Sequence, residues 1–378
     1  MSMKRKFLFY YLNTGNGHLN PARVLKTAVE EEYPEAEVEL VDGFGKNNLV
    51  GKVFFEKFYR IASVHLTGLW TLIYDISNHR AVQTLVFHLV QPFIIKRLRQ
   101  KILASGATDI VSFHFVTTPI IAKILRSLKK DIRLTCVVTD PFTMPKAWFY
   151  DKSVKYLVFS KEAKDFAVKK CGLSADKVTI IPLLIAKKYR TIPTAERIKE
   201  LRKKYGFPEG KRIVLLSGGG DGLPHAKRIV NSFLLHKVDF SLIVVCGRDK
   251  STLNYMQMLQ KSSHSVDIRA FGFVDFLDEL IALSDCVVIK CGASTIMEVL
   301  LQQKPVIICR YIHGQERGNV EFTKRNHVGY FIQRGSKIAN KIEYLFSNHS
   351  EYKKLIANLQ NLNLDTDANK VAHLVHRI

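Results

Sequence analysis

The segment RIVLLSGGGDGLPHAKRIVNSFLL, residues 212–235, joins a short apolar run to a helical pattern through a glycine-rich turn. RIVLLS (212–217) is predicted to be a buried strand, and a helix is predicted from His225 to Leu235. The apolar face of this predicted helix consists of Ala226, Ile229, Val230, Phe233 and Leu234. Further strand candidates, separated by helical stretches, lie at 241–247, 267–274, 286–291 and 305–310. Apolar strands that alternate with helices indicate a parallel sheet covered on both faces.

The first half of the chain repeats this alternation. Its strand candidates are FLFYYL, AEVELVD, DIVSFHF, RLTCVVTD, YLVFS and VTIIP. A segment rich in Pro, Thr and Lys, residues 183–198, marks the change between the halves. We therefore predict an α/β protein with two doubly wound, Rossmann-like domains facing across a cleft. They comprise residues 1–190 and 191–378, with the last helix able to pack back onto the N-terminal domain. Ligands of such sheets bind at the carboxyl ends of the strands.

Charge and composition limit the classes of partner. Among 378 residues, Lys and Arg outnumber Asp and Glu by 57 to 34, which gives a formal charge of +23. Such a surface attracts nucleic acid, an anionic membrane or phosphorylated substrates. The six cysteines form no CxxC pair and indicate buried thiols in a reducing compartment. No apolar run reaches the length of a transmembrane helix, and FLFYYL indicates a first strand rather than a signal peptide.

Residues 48–104 contain many aromatic and basic side chains but no strand pattern. Two interpretations stay open for this segment. Its helices could pack on a sheet and leave a solvated basic face, or they could form an amphipathic surface that enters a membrane interface. In the second case the residues near the lipid headgroups would be Trp70, Tyr74, Lys96, Arg97, Arg99 and Lys101.

Three loops of the second half follow predicted strands. SGGGDG (217–222) allows backbone amides to surround an anion at a helix N-terminus. In KCGASTIMEVLLQQKP (290–305), Thr295 and Glu298 have the spacing of a capping box, although Glu298 could also accept hydrogen bonds from ribose hydroxyls. YIHGQERGN (311–319) is a polar loop with several side chains that can bind sugar hydroxyls. They are Gln315, Glu316, Arg317 and Asn319. We expect the three loops to converge at one edge of the sheet.

In the first half, TGNGH (14–18) follows the first strand and could be a phosphate-binding loop, a catalytic site or only a strand-to-helix turn. Asn20 could cap the helix that follows, with Pro21 at its first position. Asp140 ends a very apolar strand near Trp148, where burial could raise its pKa and suit it to act as a base. A helix cap or a salt-bridged acid is the alternative for Asp140. His114 also lies at a strand end, where a histidine can be structural.

The motifs TGNGH, VTDP…WFY, LLSGGGDG, VVCGRDK, GFV, KCGASTIMEVLLQQKPVII and YIHGQERGNV occur in this order over nearly the whole chain. Together they resemble glycosyltransferase family 28, and within it the monogalactosyldiacylglycerol synthases and the bacterial processive diacylglycerol glucosyltransferases, with MurG more distant. The resemblance implies a GT-B fold in which the C-terminal domain binds a UDP-sugar and the N-terminal domain binds the acceptor. It also implies inverting transfer of a hexose to a lipid, diacylglycerol.

The resemblance assigns site residues by position. Donor-binding residues would be Gly15, Asn16, Gly17, Gly218, Gly219, Gly220, Arg248, Phe273, Val274, Gly292, Ala293, Ser294, Thr295, Glu298, Gln315, Glu316 and Asn319. The catalytic candidates are His18 and Asp140, and which of them is the base stays open. Acceptor and membrane residues would be His114, Trp148, Trp70, Lys96, Arg97 and Arg99.

We expect no metal and no cofactor besides the UDP-sugar substrate. The expected partners are a lipid acceptor and an anionic membrane, with the protein cytoplasmic and peripheral at the inner face of the cell membrane and no nucleic acid bound. One alternative is MurG-like transfer of N-acetylglucosamine to a polyprenyl-linked acceptor. Another is a non-catalytic protein that binds a nucleotide sugar, a lipid or nucleic acid.

Overall fold

The structure is a computed structural model that describes residues 5–13, 16–45, 67–263 and 266–377. The chain divides into two compact units. The first comprises Met1–Ala186, Ile312–Gly318 and Asp365–Ile378, and the second comprises Lys187–Tyr311 and Asn319–Leu364. The functional division at residue 190 stays a prediction.

The first unit contains a parallel sheet that has six strands within the described residues, in the order β2-β1-β3-β4-β5-β6. The strands are β1 (Lys6–Tyr11), β2 (Glu37–Asp42), β3 (Asp109–Ser112), β4 (Arg133–Val137), β5 (Lys155–Val158) and β6 (Val178–Ile180). The helices are α1 (Asn16–Glu32), α2 (Thr67–Ser77), α3 (Arg80–Ser105), α4 (Thr117–Leu128) and α5 (Lys161–Asp165). Each of the six strand candidates of the first half overlaps one of these strands.

Continuous apolar strands form here because both faces of the sheet are covered. In β1, Phe7 and Phe9 pack with residues of α1 on one face, while Leu8 and Tyr10 pack with residues of α3 and α4 on the other. All four side chains are fully buried. Burial of alternate residues in two separate cores therefore explains a strand with no polar face.

The second unit contains a parallel sheet that also has six strands in the described part of the chain, in the order β12-β11-β10-β7-β8-β9. The strands are β7 (Ile213–Ser217), β8 (Ser241–Val245), β9 (Ile268–Phe271), β10 (Cys286–Lys290), β11 (Val306–Arg310) and β12 (Gly329–Phe331). The helices are α6 (Ala195–Tyr205), α7 (Ala226–Leu235), α8 (Lys250–Ser262), α9 (Leu277–Leu283), α10 (Ala293–Leu301), α11 (Arg317–Arg325), α12 (Gly335–Ser347) and α13 (His349–Gln360).

The strand orders place a switch point in each sheet. Consecutive strands run outwards to opposite sides of the β1/β3 pair in the first unit and of the β7/β10 pair in the second. At such points the loops after the two strands diverge and leave a crevice for a ligand. A ligand-binding site is therefore expected at the loops that follow β1, β3, β7 and β10.

The start of α1 differs from the prediction. The helix begins at Asn16, so Asn20 is not its cap and Pro21 lies inside it rather than at its first position. A proline at this position cannot donate the hydrogen bond that a backbone amide would make to the carbonyl of Gly17. The last helix, α14 (Ala368–Arg377), packs on α1, where the Tyr33 hydroxyl lies 2.7 Å from His373 Nδ1 and the Tyr33 ring stacks on His376.

Candidate active-site residues

His18 lies in the first turn of α1, at the switch point of the first sheet. Its Nδ1 lies 2.8 Å from the Thr139 hydroxyl, and the ring also hydrogen-bonds to the backbone of Phe113. Phe113 follows β3 and Thr139 lies beyond the end of β4, so the imidazole is tied to two strand ends. Removal from solvent lowers the pKa of His18 to about 4, and the ring is therefore neutral at neutral pH.

The ring of His114 lies beside that of His18, with centroids 4.5 Å apart. His114 is buried, and its Nδ1 accepts a hydrogen bond from the backbone amide of Val116. Burial holds its pKa well below the ordinary value. The residue predicted to contact the acceptor is thus placed in the core next to His18, with one ring nitrogen engaged by the backbone.

Asp140 is buried just beyond β4 and accepts two hydrogen bonds from neutral groups. Trp148 Nε1 donates to Oδ2 over 2.8 Å, and Gln315 Nε2 donates to Oδ1 over 2.9 Å. Burial raises the pKa of Asp140 to about 7; the two N–H groups counteract this and nearby Glu316 adds to it. Neither a helix cap nor a salt bridge to this carboxylate occurs among the described residues. Such a group can take up a proton at neutral pH.

Gln315 and Glu316 lie in the loop before α11, within the segment Ile312–Gly318 that belongs to the first unit. The Thr143 hydroxyl donates to the Gln315 carbonyl and accepts from the Gly318 amide, both over 2.9 Å. Glu316 Oε2 accepts from the amide of Ile312 over 2.6 Å, which closes the loop on itself. A Cβ atom on Gly318 would lie 2.7 Å from that of Phe142, so only glycine fits. The loop is therefore fixed beside Asp140.

Of the other predicted residues of the first unit, Gly15 lies outside the described residues, as does the side chain of Asn16. Gly17 occupies the first turn of α1, where an added Cβ would meet no atom within 4 Å among the described residues. Glycine is therefore not required there by packing, although it weakens a helix by about 1 kcal/mol relative to alanine. Glycine at this position would allow a ligand to approach the backbone closely, because it has no side chain in the way.

The glycine loop of the second unit connects β7 to α7. A Cβ atom on Gly218 would lie 2.1 Å from the Gly222 carbonyl oxygen. A Cβ atom on Gly222 would lie 2.4 Å from the Cys246 carbonyl oxygen. Gly222 also has a positive φ of 81°. The Arg248 amide donates to the Gly220 carbonyl over 2.9 Å, which ties this loop to the loop after β8. The close packing of this turn therefore requires glycine at positions 218 and 222.

Arg248 and Phe273, two of the predicted donor-binding residues, are brought together beside this loop. The guanidinium carbon lies 5.0 Å from the centre of the Phe273 ring, and Phe273 is 55% exposed. A Cβ on Gly220 would contact both side chains, 3.3 Å from Arg248 Nη1 and 3.8 Å from Phe273. An exposed aromatic ring paired with an arginine offers a stacking surface for a nucleobase. Val274 is partly exposed next to it.

The turn after β10 leads directly into α10, which begins at Ala293 with Gly292 as its N-cap. The capping-box interpretation of Thr295 and Glu298 is therefore wrong, because Thr295 lies inside the helix and no side chain caps it. Glycine at the cap leaves the first amides, including those near Ala293 and Ser294, without a side-chain acceptor. These amides can bind an anion.

Glu298 is buried in α10, and burial raises its pKa to about 7, with a smaller opposing effect of Lys188. Within the described ranges, no protein group donates a hydrogen bond to its carboxylate. A buried acid without a donor is unfavourable unless a ligand supplies one. This side chain can therefore accept hydrogen bonds from a bound hydroxyl group.

Two buried polar atoms near these loops also lack a hydrogen-bond partner among the described residues, namely Ser217 Oγ and Asn319 Oδ1. Asn319 Nδ2 donates to the carbonyl of Cys291, which fixes the start of α11 beside the turn after β10. Ser217 was not among the predicted site residues. A hydroxyl at the end of an apolar strand and directly before three glycines was the available signal.

Helices α2 and α3 carry the predicted membrane residues and many exposed apolar side chains. Leu69, Leu72 and Ile76 are exposed on α2, and Leu85, Val86, Leu89 and Phe93 are exposed on α3. Lys96 and Arg99 are exposed on α3 and Trp70 is partly exposed on α2, whereas Trp148 is in the core. Arg97 is exposed as well, and it donates to the carbonyls of Asp42 and Gly43 at the end of β2.

None of the described helices is both long and apolar enough to cross a membrane. The described residues contain no cluster of three His, Cys, Asp or Glu side chains arranged to hold a metal ion.

The architecture has counterparts among solved structures. A crystal structure of HepE from Anabaena in complex with UDP-glucose aligns with a TM-score of 0.58 over 98% of each chain at 13% sequence identity. At this identity the likeness shows the fold alone. Two doubly wound parallel sheets of this kind define the GT-B fold of glycosyltransferases, as predicted.

Sequence comparison gives the family. Residues 18–183 match the monogalactosyldiacylglycerol (MGDG) synthase family, and residues 214–373 match the glycosyltransferase family 28 C-terminal domain. Monogalactosyldiacylglycerol synthase 1 of Arabidopsis thaliana is 26% identical over 99% of this chain and 71% of its own length. A processive diacylglycerol beta-glucosyltransferase of Bacillus pumilus is 24% identical over 96% of this chain and 92% of its own length. The two matches confirm the predicted resemblance to glycosyltransferase family 28, and the chain is a glycosyltransferase.

Proposed function

We propose that the protein transfers a hexose from a UDP-sugar to diacylglycerol with inversion at the anomeric carbon. Both relatives described above are named for products or reactions of diacylglycerol, and HepE was crystallised with UDP-glucose. The observation that carries the proposal for this chain is Asp140, a buried carboxylate without a counter-ion among the described residues, whose pKa lies near 7. A base of this strength suits the removal of a proton from an alcohol during glycosyl transfer.

In the proposed reaction the acceptor hydroxyl attacks the anomeric carbon on the face opposite the diphosphate. The new C–O bond forms as the bond between the anomeric carbon and the UDP oxygen breaks, so the configuration inverts. The hydroxyl proton passes to Asp140, and UDP leaves with the bonding electrons. Asp140 is a better candidate than His18, because the low pKa of His18 makes its imidazole a weak base, and the ring is already bonded to Thr139 and Phe113.

The loops of the second unit are proposed to bind the donor. Amides of Gly218–Gly220 and of the first turn of α10 would meet the diphosphate and stabilise its charge as it leaves, without a metal ion. Arg248 and Phe273 would stack on the base, and Glu298 would accept hydrogen bonds from the ribose hydroxyls. Asn319 Oδ1 and Ser217 Oγ, which lack partners among the described residues, are further positions for polar contacts.

The donor sugar can be identified directly. Incubation with UDP-glucose, UDP-galactose or UDP-N-acetylglucosamine and diacylglycerol vesicles, followed by mass spectrometry, should show a hexosyl-diacylglycerol with one of the first two donors. A product only with UDP-N-acetylglucosamine and a polyprenyl-linked acceptor would instead place the activity with MurG-like enzymes.

Replacement of Glu298 by Gln should weaken UDP binding by about 10-fold or more, since hydrogen bonds to a charged acceptor contribute about 1.5–3 kcal/mol each. The effect should be largest above about pH 8, where the wild-type carboxylate is ionised. Calorimetric titration with UDP and with its 2′,3′-dideoxy analogue measures it. The variant and the wild type should bind the dideoxy analogue with similar affinity. Equal loss for both ligands would show that Glu298 does not bind the ribose.

A membrane contact is proposed for the apolar faces of α2 and α3, next to the exposed cations Lys96 and Arg99. The double variant Leu89→Asp/Phe93→Asp should lose binding to vesicles that contain anionic phospholipid, because it places charge where apolar side chains would be buried. Leu235→Asp is the matched control, since Leu235 is also highly exposed but lies on α7. Sedimentation with vesicles measures binding, which should weaken with salt. Salt-insensitive binding, or equal binding by both variants, would argue against this contact. The protein would then not reside at the anionic inner face of the membrane.

A further inference from the structure

Two neutral N–H groups hold the carboxylate of Asp140, one on each oxygen. Trp148 belongs to a short 3-10 helix, Lys146–Phe149, and its side chain is only 1% exposed. Its ring packs against Phe115, with centroids 5.7 Å apart, and lies about as close to the rings of His18 and His114. The indole therefore has little freedom to turn, and its N–H group is fixed on Asp140 Oδ2.

The second donor, Gln315, is fixed by a different set of contacts. Its backbone carbonyl accepts a hydrogen bond from the Thr143 hydroxyl, which in turn accepts one from the Gly318 amide. Thr143 lies three residues beyond Asp140, so one short segment carries both the acid and the residue that anchors its donor. The Gln315 amide consequently approaches Oδ1 from a loop whose backbone is anchored beside the acid.

We propose that Trp148 and Gln315 are positioning residues for Asp140, whose two N–H groups fix the carboxylate and stabilise its negative charge. A carboxylate has about four lone-pair positions, so each oxygen keeps capacity to receive the acceptor proton. This inference rests on the proposed role of Asp140. In this proposal Gln315 positions the catalytic base, in addition to any contact with the donor sugar. Trp148 also positions the base, a role that requires no contact with lipid.

The surrounding charges determine the sign of the effect. Glu316 on the same loop disfavours ionisation of Asp140, and Tyr74 of α2 interacts electrostatically with it. His18 and His114, which lie beside Trp148, are neutral near pH 7 because burial lowers their pKa values. The two N–H groups thus oppose burial and the charge of Glu316. Loss of either donor should raise the pKa of Asp140, so more of the enzyme would be protonated and inactive at a given pH.

The pH dependence of kcat tests the proposal. In Trp148→Phe and Gln315→Met, the rising limb should move to higher pH by about one to two units, which is the effect of losing one hydrogen bond to a charged group. Thr143→Val should move it in the same direction, whereas Thr143→Ser keeps the hydroxyl and should restore the wild-type limb. A role limited to folding would lower kcat without moving the limb, and that result would overturn the proposal.

A second measurement is independent of activity. The chain contains two tryptophans, so Trp70→Phe leaves Trp148 as the only one. Protonation of Asp140 weakens the acceptor of the indole N–H, and Trp148 emission should therefore titrate with a midpoint near pH 7. Asp140→Asn in this background should abolish the titration, and Gln315→Met should raise its midpoint. If Gln315→Met leaves the midpoint unchanged, the positioning role is rejected even when the enzyme is active. If the midpoint shifts but the protein transfers no sugar, the proposed function is rejected and the positioning role is not.

Discussion

Replacement of Asp140 by Asn is expected to lower kcat by about 10²–10⁴-fold, the usual contribution of general base catalysis. Asparagine has nearly the same shape and can still accept from Trp148, but it cannot take up a proton. His18→Gln should cost less, because the pKa of His18 near 4 already makes it a poor base. Initial rates with saturating donor and diacylglycerol vesicles measure both effects. An Asp140→Asn enzyme that keeps more than about a tenth of the wild-type rate would exclude Asp140 as the base.

The same substitution should stabilise the folded protein above neutral pH. The pKa of Asp140 rises from an ordinary value of 3.8 to about 7 on folding, so the native state binds a proton more tightly than the unfolded state. Wild-type stability therefore falls as pH rises from about 4 to 7, by on the order of 4 kcal/mol in total. The Asp140→Asn variant lacks this loss. Its thermal midpoint should exceed that of the wild type near pH 8, and the advantage should shrink steadily as the pH is lowered towards about 4.

The second large effect is expected in the glycine loop. Gly218→Ala and Gly222→Ala should each weaken UDP binding by about 100-fold or more, because the new methyl group would overlap backbone atoms at 2.1 Å and 2.4 Å and force the loop to move. Backbone atoms cannot turn aside as a flexible side chain can, so the amides proposed to hold the diphosphate would be displaced.

Gly210→Ala is the matched control for these variants. Gly210 also has a positive φ, 78°, but an added Cβ there would meet no described atom within 4 Å. It should show the cost of backbone strain, about 1–2 kcal/mol in stability, without a change in UDP affinity. Calorimetric titration of folded variants with UDP separates the cases. Affinities for UDP that are equal in Gly218→Ala, Gly222→Ala and Gly210→Ala would show that the loop does not bind the nucleotide.

The strands were predictable because this fold buries both faces of each sheet. The runs that became β1, β7, β8, β10 and β11 consist almost entirely of apolar residues, and such runs are difficult to accommodate elsewhere. β12 was missed because it has only three residues and begins with glycine. The helix starts were less accurate. Asn20–Pro21 and Thr295–Glu298 have the composition of helix starts, yet both pairs lie inside helices.

The site was predictable only where its residues are local in sequence. Glycine loops that follow strands are visible in the chain itself, and so is an acid that ends an apolar strand. The hydrogen bond between Gln315 and Asp140 joins residues 175 positions apart, and no local sequence pattern predicts it. The bond between His18 and Thr139 spans 121 positions and was missed for the same reason. The hydrogen bonds from Arg97 to the carbonyls of Asp42 and Gly43 at the end of β2 were also missed, because they span more than 50 positions.

The stereochemistry of the product tests the central claim most directly. Wild-type protein would be supplied with an α-linked UDP-hexose and diacylglycerol vesicles, and the anomeric configuration of the glycolipid would be read by proton NMR. In-line attack assisted by Asp140 predicts a β-linked hexosyl-diacylglycerol, with formation almost abolished in Asp140→Asn. An α-linked product, or release of free sugar without any glycolipid, would contradict it.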